Sequence, residues 1–113
     1  MIDVALIVAP DDPPRAQITL GERSLLPGLT LARVNPALMA EMNLPLETTG
    51  VVVVDPGPFA PRVGVRPGDV ILNVNGVEVT HPDEAETLLG GQVRRVQMLI
   101  QRGNRRISLR FRV

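Results

Sequence analysis

The chain is 113 residues long, enough for one compact domain and too short for two ordinary ones. An apolar fraction of 44% and a charged fraction of 21% are those of a globular chain, so the 10 Gly and 11 Pro read as turns rather than as disorder. Twelve basic residues, all arginine, balance twelve acids, and there is no Cys, Trp or Tyr; this argues against a phosphate-binding surface, a base-stacking platform, disulfides, zinc knuckles and cysteine nucleophiles.

Residues 1–9 form an apolar run closed by Pro10-Asp11-Asp12-Pro13-Pro14, which reads as a strand and then a linker. The strand is either the last one of a preceding domain or the first of this one. No apolar stretch approaches the roughly 18 residues of a membrane-spanning helix. Met1-Ile2-Asp3 lacks the basic start of a signal peptide, so an exported parent implies that the chain is a fragment of it. Leu26-Pro27-Gly28 then turns into a strand over Leu29–Val34. Asn35-Pro36 supplies an N-cap and a first helical residue, Leu38, Met39 and Met42 mark a buried stripe, and Asn43-Leu44-Pro45 closes the helix.

Gly50-Val51-Val52-Val53-Val54 is the strongest strand signal and predicts a central strand, apolar on both faces. Asp55-Pro56-Gly57-Pro58 is a turn, and Phe59–Val63 has room for one or two helical turns before Gly64. Arg66-Pro67-Gly68-Asp69 has the chemistry of a type II turn, and Asn75-Gly76 that of a tight hairpin between Val70–Val74 and Val77–Val79. Pro82-Asp83-Glu84 starts a helix that ends at Gly90-Gly91. Two strands follow, Val96–Gln101 and Arg105–Val113, joined by a turn around Gly103. The sum is five or six strands with two or three short helices, an α+β sandwich or partly open barrel.

Catalysis is poorly served. Only His81, Ser24 and Ser108 could take part in acyl transfer; His81 falls at a helix cap and Ser108 on a strand, and no Gly-x-Ser-x-Gly elbow occurs. Asp83, Glu84 and Glu86 lack His or Cys neighbours, and no glycine-rich phosphate loop is present, so neither a metal nor a cofactor is expected. Binding remains. A glycine loop followed by an open strand edge and a flanking helix can take up an extended peptide by strand addition. Leu26, Pro27, Gly28 and Leu29 supply the loop, Thr30, Leu31 and Ala32 the strand, and helical spacing puts Pro82, Glu86 and Leu89 on the groove face with Ala85 and Leu88 in the core. This reading expects the amides around Gly28 and the backbone after them to be unoccupied.

The run Val65-Arg66-Pro67-Gly68-Asp69-Val70-Ile71-Leu72-Asn73-Val74-Asn75-Gly76 resembles the bacterial PDZ signature Gly-Leu-x-x-Gly-Asp-x-Ile-x-x-x-Asn-Gly. The order of elements over residues 21–113 resembles the C-terminal, second PDZ domain of HtrA-type (Do/Deg-like) serine proteases, in the circularly permuted bacterial topology. Residues 1–20 then correspond to the end of a preceding domain plus a linker. The resemblance implies a module of a periplasmic quality-control protease whose trypsin-like catalytic domain lies elsewhere. Its partners would be C-termini or unfolded segments and neighbouring domains or subunits, with no nucleic acid and no integral membrane segment. The family's carboxylate-binding role carries over to Leu26, Pro27, Gly28 and Leu29. Two departures from the pattern are visible: Pro27 removes one loop amide, and Pro58 and Pro61 interrupt a segment usually written Ser-Pro-Ala-Ala. An alternative reading is a structural, oligomer-assembly module with a vestigial groove.

Overall fold

The computed structural model describes residues 14–45, 48–90 and 95–112. The expected strand at residues 1–9, the linker through Pro13, Gly91 and Val113 lie outside the described residues. The elements are β1 (Ile18–Thr19), β2 (Thr30–Arg33), α1 (Pro36–Met42), β3 (Val51–Asp55), a 3-10 turn (Ala60–Val63), β4 (Val70–Val74), β5 (Val77–Glu78), α2 (Pro82–Leu88), β6 (Arg95–Arg102) and β7 (Arg105–Arg112). The seven strands form one antiparallel sheet in the order β1-β2-β3-β4-β6-β7, with β5 hairpinned onto β4, and the sheet stays open.

Turn chemistry fixes the path. Asn75 and Gly76 take φ of 51° and 82°, the left-handed pair that joins two strands without splaying them. Gly68 at φ 89° completes the turn whose Asp69 amide donates to the Arg66 carbonyl at 3.2 Å. At the start of α1 the Asn35 Oδ1 accepts from the Leu38 amide at 2.8 Å, and Asn43 ends the helix in the left-handed conformation.

The apolar run of β3 is explained by two cores, one on each face of the sheet. Val51 and Val53 join Leu20, Leu26, Leu29, Leu31, Ile71, Ala85, Leu89, Met98 and Ile100 on the α2 side. Val52 joins Ala32, Val34, Leu38 and Val70 on the α1 side, with Met39 and Met42 packed against them as the stripe predicts. Both faces are dry at Val51–Val53, so no polar residue is tolerated in alternation there, and the strand is exposed only at Asp55.

Candidate functional site

The loop ahead of β2 is built from its own hydrogen bonds. The Leu25 amide donates to the Leu89 carbonyl at 2.9 Å, the Leu26 amide to Ser24 Oγ at 3.2 Å, and the Leu29 amide back to the Leu26 carbonyl at 3.2 Å. Ser24 Oγ itself donates to the Leu89 carbonyl at 3.3 Å, which ties the loop to the C-terminal end of α2. Gly28 takes φ of 85° and lies against the 55–58 turn so closely that a Cβ on Gly57 would come within 2.7 Å of the Gly28 carbonyl. Only glycine fits at that contact.

The expectation of an unoccupied edge is overturned. On the side of β2 away from β3 lies β1, antiparallel, with Ile18 opposite Leu31 and Thr19 opposite Thr30. The Gly28 amide donates to the Leu20 carbonyl, and the Leu20 amide to the Leu29 carbonyl, each at 2.8 Å. The Arg33 amide donates to the Arg15 carbonyl at 2.6 Å, and the Thr19 and Thr30 hydroxyls meet at 2.9 Å. A buried amide needs a partner, and this chain supplies one from within. Ile18–Thr19, which the sequence reading leaves in the linker, thus pair into the sheet, and Leu20 follows them with hydrogen bonds to the loop ahead of β2.

The structure brings the predicted residues together but buries most of them. Leu26, Leu29, Leu31 and Ala32 are at most 2% exposed and Thr30 is 9% exposed. On α2, Leu89 is fully buried beside Leu20 and Leu29, and Pro82 is buried, whereas Glu86 is exposed. Ala85 is in the core as expected, and Leu88 is half-buried against it. Leu89 caps the helix at φ −95° and ψ 17°, so helical spacing no longer governs its direction. Sequence reasoning missed Leu20, Ser24, Leu25 and Gly57. Of these only Gly57, inside Pro-Gly-Pro, carried a local signal.

Two side-chain networks hold the frame around the site. Asp69, 1% exposed, accepts from the Arg66 amide at 2.9 Å and from Arg102 Nε and Nη2 at 2.8 Å each, while Arg102 Nη2 also donates to the Gly64 carbonyl at 2.7 Å. Hydrogen bonding to Asp69 pushes the Arg102 guanidinium above its already high ordinary value. At the start of α2, Glu84 Oε1 accepts from the Thr80 amide, the Thr80 hydroxyl and the His81 amide, each at 2.9 Å. The Thr80 bonds hold its carboxyl below the usual range.

Two open grooves of about 440 and about 350 Å³ lie elsewhere, lined by residues such as Thr49, Leu72 and Arg106, and neither is lined by a predicted binding residue. Among the described residues no cluster of His, Cys, Asp and Glu could hold a metal, and no helix is long and apolar enough to cross a membrane.

This arrangement of sheet, loop and α2 has counterparts. The structure of the HtrA-type protease AlgW with a decapeptide superposes with a TM-score of 0.67 at 26% identity, over 80% of this chain and 28% of that one. The HtrA3 PDZ domain bound to a phage-derived ligand gives 0.60 at 20% identity, over 85% and 83%, a likeness of fold. In sequence, the magnetosome formation protease MamE of Magnetospirillum gryphiswaldense is 39% identical over 71 residues, which are 61% of this chain and 9% of that protease. The PDZ domain profile matches residues 50–113, more than half of the chain and all of the frame from β3 to β7, and the chain belongs to the PDZ domain family.

Proposed function

We propose that this chain is the polypeptide-binding module of a serine endoprotease. In this reading it takes up C-termini or unfolded segments by strand addition to β2 and positions them for a separate trypsin-like catalytic domain of a periplasmic quality-control enzyme. The observation that carries the reading is the edge of β2 itself: a strand already added there, beside a glycine loop tied to α2, in a fold whose counterpart in AlgW is described with a decapeptide. Backbone bonds of about 0.5–1.5 kcal/mol each, with one or two buried side chains, give micromolar affinity for a ligand that meets no competitor. The test is titration of the isotope-labelled chain with an apolar-ended peptide. Amide shifts should concentrate at Gly28, Leu29 and Leu31; shifts confined to β6 and β7, or none at saturating peptide, would overturn the reading.

One observation favours a second reading, an assembly module within the parent enzyme: the loop amides at Leu25, Leu26, Gly28 and Leu29 are all bound internally. Sedimentation velocity separates the two, because a chain that stays monomeric at every concentration is not held together by such contacts.

A further inference from the structure

Resting on the peptide-binding reading, we propose that β1 and its flanks, Arg15–Leu20, are a tethered occupant of the peptide edge. The domain then rests closed, and an outside polypeptide enters only by displacing this segment, as a strand in mid-chain rather than as a terminal carboxylate.

Three observations converge. First, the segment makes the contacts of a bound strand: its Leu20 carbonyl takes the Gly28 amide, its Leu20 amide reaches the Leu29 carbonyl, and Ile18 and Thr19 sit in register on Leu31 and Thr30. Leu20 fills the core beside Leu29 and Leu89, as an anchoring side chain would. Second, the occupant is a short strand held mainly at its two ends, by the pairing of Arg15 with Glu41 and by the burial of Leu20. Between them only two residues are in strand register, Gln17 and Thr19 are exposed, and Ala16 enters at φ 47°, a conformation an alanine disfavours. Third, the loop suits a neutral carbonyl. Pro27 has no amide, the Leu29 amide is turned to Leu26, and Gly28 alone meets the occupant's carbonyl, after which the chain runs on through Gly21. A carboxylate is normally held by several converging amides. The competing ligand is therefore an extended segment with an apolar residue at the Leu20 position, a hydroxyl before it and an apolar residue before that.

The experiment uses the full chain and a labelled peptide of its own sequence Arg15–Leu20, prepared with a free carboxyl and with an amidated end. Ile18→Pro removes a strand amide, and the pair Thr19→Cys and Thr30→Cys, in a chain without cysteine, can lock β1 onto β2 by oxidation. Expected are weak binding by the parent chain, at least tenfold tighter binding by Ile18→Pro, loss of binding in the oxidised double variant with recovery on reduction, and similar affinity for the two peptide forms. Equal binding by the oxidised and reduced forms would overturn the closure while leaving peptide recognition standing. Binding by neither a folded Ile18→Pro chain nor the reduced double variant would overturn recognition itself. A tenfold preference for the free carboxyl would overturn the mid-chain assignment. Where Ile18→Pro fails to fold, the oxidised and reduced pair decides alone.

Discussion

Asp69 shows how one buried side chain can close several open ends at once. Its carboxylate satisfies the Arg66 amide inside the turn and receives Arg102 from the neighbouring β6 through two donors, while Arg102 carries on to the Gly64 carbonyl. Removing it leaves an amide and part of a guanidinium without partners. Asp69→Ala should cost about 2–4 kcal/mol, at the lower end of a buried pair because Arg102 keeps 30% of its side-chain exposure. Denaturant titration checks this; a loss below about 0.5 kcal/mol, the size of an ordinary surface substitution, would mean that the network is incidental.

At the scale of elements, the turns and caps were legible in the sequence because each is a local bargain between one or two residues and their own backbone. Asn35-Pro36, Pro67-Gly68 and Asn75-Gly76 act where they stand. What escaped were relations set by distant partners. Ile18–Thr19 is too short to have a period, and its strand character comes wholly from pairing with β2. The burial of Leu89 against Leu20 likewise depends on a partner far away in sequence. The start of α2 carries a pH dependence of known sign. The Glu84 carboxyl is held low in the folded chain, so its contribution is present above the unfolded value of about 4.3 and is lost as pH falls through the folded one. Glu84→Gln should therefore shrink the fall in stability on acidification below the ordinary glutamate range, measured by thermal unfolding; an unchanged acid slope would place that dependence on other carboxylates.

For the molecule as a whole, the open sheet ends in β7, eight residues long, with no strand beyond it among the described residues. Its face carries exposed Arg106, Arg110 and Arg112 around Ser108, with Arg95 of β6 directly opposite Arg112. Facing like charges weaken the local pair, and they also deter a second sheet from docking along the edge. Replacing Arg106, Arg110 and Arg112 with Val should produce concentration-dependent self-association in sedimentation velocity. A variant that stays monomeric would show that edge protection lies elsewhere.

The short tie from Ser24 and Leu25 to the carbonyl of Leu89 joins the loop ahead of β2 to the C-terminal end of α2. The other end of α2 is held as well, by the Glu84 carboxyl that accepts from Thr80 and His81 and by the burial of Pro82, so the helix is fastened to the domain at both of its ends. A helix pinned in this way serves the sheet as a rigid wall, and strain placed on the loop at Ser24 is passed directly to its last turn.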